Sequence, residues 1–190
     1  MEQNIKIHQK TSLWSKYRLA IVVSCCALVL ALSFTLMAVG TNDSTIAVSA
    51  QNIEFDLPVA NATITKDYSD TELQYNETLK QWEAHKAIDF KANAGSNVVA
   101  VYPGTVIEAS NNYLGGYYVV IQHESGLKTT YKSLAKALKV KKGDVVKKGS
   151  VLGTISDTAA SESSQGAHLH FEVTLNDKLV NPNDYFNFNK

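Results

Sequence analysis

Four side chains carry the chemistry legible in this sequence. His85 and Asp89 stand in the run His85-Lys-Ala-Ile-Asp89, and His168 and His170 stand in His168-Leu-His170-Phe-Glu172. In a strand, residues i and i+2 share a face at a spacing of about 6.6–6.8 Å. If His170 binds a metal ion, His168 cannot easily take the same inner position. It can reach the metal's water or a substrate oxygen instead, which divides the pair into ligand and acid/base. His85 and Asp89 can add one nitrogen and one oxygen. Two imidazoles, one carboxylate and an open fourth position make a hydrolytic zinc pattern. An isolated HxxxD is commonly a surface turn, and an isolated HxH is commonly a structural strand feature. Their joint order and spacing is what points to a metal centre.

Composition removes most other chemistries. Cys25 and Cys26 are adjacent and lie inside an apolar run, and no cysteine follows, so the rest of the chain has neither disulfide nor thiolate ligand. Formal net charge is +0, and no arginine occurs after Arg18. Nucleic-acid binding and bidentate phosphate recognition therefore lack their usual donors.

The elements that must position these side chains read as β. Short runs rich in Val, Ile and Tyr alternate with Gly, Asn and Asp: SNVVAVYPGTVIEAS, GYYVVIQHESG, LKTTYKSL, GSVLGTIS and AHLHFEVTLNDKLV. Asn176-Asp177-Lys178 fits a hairpin turn. One helical stretch is expected near Glu72 to Glu83. The repeat-like VKKGDVVKKG reads as a turn of a small barrel. Together these predict a mostly β fold, an antiparallel β-sandwich or barrel-like core, over residues 53–190.

Residues 19–39 are uncharged and free of Pro and Gly. At about 1.5 Å per residue they match a hydrocarbon core of about 30 Å. Basic residues precede the run, so residues 1–18 are expected in the cytoplasm and the remainder outside. The run exceeds an ordinary signal-peptide core, and the small-residue site Val48-Ser49-Ala50 lies well beyond its end, which favours an uncleaved anchor over a signal peptide. Residues 40–52 read as a linker that reaches at most about 45 Å.

HKAIDF, SNVVAVYPGTV, GYYVVIQHESGLKTTYKSL, VKKGDVVKKGSVLGTIS, GAHLHFEV and VNPNDYF together resemble an M23 (LytM-type) peptidase domain from about Trp82 to Phe186. The resemblance implies a zinc ion held by His85, Asp89 and His170, with His168 as one of two catalytic histidines, and cleavage of peptidoglycan peptides. Two departures stand out. The family's HxGxD has Ala87 in place of Gly, a modest change. Its YxHL element, which supplies the other catalytic histidine, reads here Tyr131-Lys132-Ser133-Leu134. Serine cannot act as an imidazole near neutral pH, and loss of one general acid/base costs about 10²–10⁴ in rate. His123 could substitute or be structural. Glu172 could support His170 or be a solvent-facing charge, and Tyr131 could line the cleft or pack. A biotinyl- or lipoyl-type carrier reading of PGTVIEA and VKKGDVVKKGSVLG lacks a suitably placed lysine and leaves HLHFE unexplained.

The short cytoplasmic tail, single anchor, linker and lead-in ITKDYSDTELQYNETLKQWEAHKAIDF are similar to the stage II sporulation protein Q family of endospore-forming bacteria. That resemblance implies a forespore-membrane location and a scaffold or channel role. It also implies pairing with a stage III sporulation protein AH-like partner anchored in the opposing membrane; sheet edges could accept that partner, and repeated edge addition could build a ring oligomer. An active zinc endopeptidase of the cell wall is the competing reading.

Overall fold

A computed structural model describes Tyr17 and residues 53–188. The expected anchor and linker, residues 19–39 and 40–52, lie outside the described residues. Among the described residues no helix is long and apolar enough to cross a membrane.

The strands are β1 (Thr63–Lys66), β2 (Ser69–Asn76), β3 (Gln81–His85), β4 (Ile88–Lys91), β5 (Asn97–Val99), β6 (Gly104–Asn112), β7 (Gly116–Gln122), β8 (Leu127–Leu134), β9 (Val145–Val146), β10 (Val151–Thr154), β11 (Leu169–Leu175) and β12 (Lys178–Val180). They build the expected mostly β, antiparallel architecture. Its main body is one open sheet ordered β1-β4-β11-β8-β7-β6-β9, with β12 paired to β11. Two ribbons, β10-β5 and β2-β3, complete it.

Period-two alternation explains β11. Leu169, Phe171 and Val173 are buried in the core, which leaves His170 and Glu172 together on the opposite face. Phe171 packs edge-on against Tyr131, Phe90 and Phe55, with ring centroids 5.3, 6.3 and 6.3 Å away. Phe55 also accepts its place from the far end of the chain: its N–H donates to Tyr185 O at 2.8 Å, and its ring stacks on Tyr185. The lead-in is thereby sewn to the C-terminal 3₁₀ turn Pro182–Tyr185.

Asn176 and Asp177 both adopt positive φ, 49° and 62°, and Leu175 pairs with Lys178. This is the two-residue hairpin turn that the sequence predicts.

The helix expected near Glu72 to Glu83 is instead the β2–β3 hairpin. Tyr75 faces Trp82 across it as a register pair with ring centroids 5.4 Å apart. Asn76 closes the turn by accepting from Thr78 N and Leu79 N at 2.9 and 3.0 Å. An Asx turn and a cross-strand aromatic pair outweigh the helix propensity of the glutamates and leucines.

Candidate metal centre

Three neighbouring strands present the site. His170 on β11 pairs with Asp89 on β4 and with Lys132 on β8. His85 ends β3, and Lys86 and Ala87 turn the chain into β4. Ala87 is completely buried, so its methyl is packed within the domain.

The fourth contributor was not legible in the sequence. Glu162 lies in the short 3₁₀ segment Ala160–Gln165 and is buried. His85, Asp89, Glu162 and His170 offer four donor atoms that all lie within 4.8 Å of one another. His170 Nδ1 is 2.9 Å from Asp89 Oδ1 and 2.9 Å from Glu162 Oε2. His85 Nε2 is 3.3 Å from Asp89 Oδ2 and 3.7 Å from Glu162 Oε1. A tetrahedral ion with bonds of about 2.0–2.1 Å requires donors about 3.3 Å apart, so the spacing fits zinc. His85 Nε2 is also buried without a hydrogen-bond partner, a costly arrangement that a metal would relieve. A bound zinc ion there would supply Lewis acidity.

Supporting contacts fix the donors. His85 Nδ1 lies 3.0 Å from Asp67 O, which leaves Nε2 for the centre. Gln165 Nε2 donates to Asp89 Oδ2 at 3.0 Å and to Glu162 Oε1 at 3.3 Å. Glu172 Oε1 lies 3.2 Å from His170 Nε2 and pairs with Lys132. Of its two sequence readings, support of His170 is the one observed.

The electrostatics follow from this crowding. Burial opposes ionisation of Asp89, yet the hydrogen bond from His170 and the proximity of both His170 and His85 hold its carboxyl well below the ordinary carboxylate range. Glu162 is likewise resisted by burial and drawn down to about 2, chiefly by His168 and His170. Burial depresses His170, but Asp89, Glu162 and Glu172 outweigh it and raise the imidazole well above its usual value.

His168 is buried beside the centre, with Nε2 3.4 Å from Glu162 Oε2 and Nδ1 2.8 Å from Gly166 O. Its backbone N–H donates to Ser156 O at 3.2 Å. Ser133 Oγ donates to the same carbonyl at 2.9 Å. Ser133 is fully buried at φ 64°, so the β8 end that carries it borders His168. Tyr131 is core, not cleft. His123 is held by Pro103 O at 2.7 Å and Thr129 Oγ1 at 2.8 Å, and none of its hydrogen bonds reaches the four donors.

A cleft of about 690 Å³ opens over the centre, lined among others by Glu83, His85, Tyr113, Lys132, Glu162 and His170. Residues 83–182 match the model of peptidase family M23. The chain belongs to peptidase family M23. The M23 domain here is similar to stage II sporulation protein Q of Bacillus subtilis, 31% identical over 160 residues, covering 76% of this chain and 55% of that protein. Among solved structures it is similar to the SpoIIQ–SpoIIIAH pore forming complex, with TM-score 0.63, 26% identity, and coverage of 72% of this chain and 92% of that one. It is also similar to a zinc containing peptidase from Vibrio cholerae, with TM-score 0.59, 30% identity, and coverage of 67% and 39%. The chain spans 28%, 55% and 20% of the length of three curated relatives that it matches.

Proposed function

We propose that this chain is a membrane-anchored, zinc-binding LytM-like ectodomain that is catalytically impaired and serves as a sporulation scaffold or channel component between forespore and mother cell. The observation that carries the impairment is Ser133: it stands where the family places its second catalytic histidine, and its hydroxyl is spent on Ser156 O. His85, Asp89 and His170 hold the zinc, and His168 remains as the single catalytic-type histidine. Residues 19–39 anchor the chain, with residues 1–18 in the cytoplasm and residues 53–190 outside, in the forespore membrane.

The likeness to a SpoIIQ–SpoIIIAH complex supports a protein partner. That partner is stage III sporulation protein AH-like, anchored in the opposing membrane, and it docks on an exposed sheet edge. Repetition of that contact would build a ring. In this role zinc stabilises the domain by linkage.

The second reading, an active zinc endopeptidase cutting peptidoglycan peptides, is favoured by the complete His85–Asp89–His170 set beside His168. The deciding experiment joins two assays on the zinc-loaded full-length chain in detergent. Co-purification with the stage III sporulation protein AH-like partner of the same organism, without muropeptide release, supports the scaffold. Zinc-dependent cleavage without a complex at micromolar concentrations supports the peptidase.

A further inference from the structure

The sequence pattern leaves the metal with an open fourth position, but the structure brings a second carboxylate, that of Glu162, among the three expected donors. Resting on the zinc reading above, we propose that Glu162 is the fourth metal ligand, closing the coordination position that a hydrolytic site keeps for water.

The geometry treats Glu162 as an equal member of the set. Its Oε2 is 2.9 Å from His170 Nδ1 and its Oε1 is 3.7 Å from His85 Nε2, against 2.9 and 3.3 Å for the corresponding separations from Asp89. The unpartnered Nε2 of His85, on a residue only 4% exposed, is a second and independent sign that these atoms are arranged to receive a cation. Charge agrees as well. Asp89 and Glu162 bring two negative charges into a buried space, and a divalent ion compensates both. With Asp89 alone, a buried zinc site would retain a net positive charge.

The segment that delivers Glu162 is pinned from two sides, so the carboxylate is placed before any metal arrives. Ser161 N and Oγ donate to Leu114 O at 3.2 and 2.9 Å. Asn76 Nδ2 donates to Ser161 O at 3.1 Å, and Thr78 Oγ1 meets Ser164 Oγ at 2.7 Å. The turn at 112–115 and the β2–β3 hairpin therefore fix the 3₁₀ segment across the centre. Glu162 itself departs from helical backbone, with φ −135° and ψ 24°, and this non-helical turn lets its side chain reach the centre. A pre-organised closing ligand raises affinity and denies the ion a water, which suits a structural centre.

The test uses cobalt(II) as a spectroscopic substitute in the full-length chain in detergent. Wild-type protein should show tetrahedral visible bands that do not move when azide or acetohydroxamate is added. Glu162→Ala and the near-isosteric Glu162→Gln should open the position: their bands should shift with azide, and zinc affinity by chelator competition should fall by about 10–100-fold. Circular dichroism checks that at least one variant is folded. Wild-type bands that shift with azide as readily as those of Glu162→Gln, or unchanged zinc affinity in a folded variant, would overturn the proposal while leaving the three-ligand zinc reading intact. Failure of the wild type to take up either metal would overturn both.

Discussion

His85 Nε2 lies 3.3 Å from Asp89 Oδ2, across a turn of only two residues between β3 and β4. The i,i+4 spacing arises here from a strand–turn–strand bend, not from a helix. A tight turn with a fully buried Ala87 leaves little freedom to either donor. The first prediction follows from that rigidity. The full-length chain should bind about one zinc, and His85→Ala combined with His170→Ala should abolish it. Elemental analysis after gel filtration checks this; equal zinc in both proteins would remove the metal centre.

The second prediction concerns catalysis. The wild type should release little or no peptide from peptidoglycan, and Ser133→His should restore a measurable fraction once Glu162→Ala opens the fourth coordination position beside it. The gain should be small, because residue 133 is buried at φ 64° and the substitution breaks the bond to Ser156 O. Chromatography of digested muropeptides reads it out. Strong zinc-dependent release by the wild type would promote the peptidase reading.

The third prediction is a pH dependence that arises in the core. Burial pushes the Tyr131 hydroxyl up to about 12, against smaller opposing effects of Thr129 and the Val101 backbone. The folded value is raised above the unfolded value of about 10. Its contribution is therefore fully present below pH 10 and is lost as pH rises toward 12. Tyr131→Phe should flatten that part of the stability profile relative to wild type. It should also cost about 1–3 kcal/mol at neutral pH, because the Val101 N–H that donates to Tyr131 Oη at 3.0 Å loses its acceptor. Urea denaturation of both metal-free proteins from pH 7 to 12 measures both effects; parallel profiles would disprove the assignment.

The fourth prediction separates His123 from the centre. His123→Ala should leave zinc affinity unchanged while lowering stability by about 1–3 kcal/mol, since it strands the Pro103 carbonyl and removes a bond to Thr129. A large loss of zinc affinity in a folded variant would mean that His123 acts on the site after all.

The fifth prediction is topological. The chain should stay in the membrane fraction; protease admitted to the space between mother cell and forespore should digest residues 53–190, while residues 1–18, inside the forespore, stay protected. A soluble product beginning near Gln51 would show that residues 19–39 are a cleaved signal instead.

What the sequence determined by itself was local. The alternation in Leu169–Leu175 puts His170 and Glu172 on one face because strand periodicity is fixed by backbone geometry, and Asn176-Asp177 selects its turn because both tolerate positive φ. The spacing of His85 to Asp89 and of His168 to His170 likewise named the histidines and the aspartate. Propensity misjudged residues 72–83, where the hairpin depends on Tyr75 meeting Trp82 and on Asn76 capping the turn. The pairing of β4 with β11, which brings Asp89 to His170 across 81 positions of sequence, is a register that no local pattern encodes. Glu162 was hidden for the same reason. It sits in a serine-rich segment without periodicity, and only the contacts with Leu114, Asn76 and Thr78 turn its carboxylate toward His170. Donor identity is chemistry and can be read along the chain; donor convergence is packing, and it exists only once distant segments have been closed on one another.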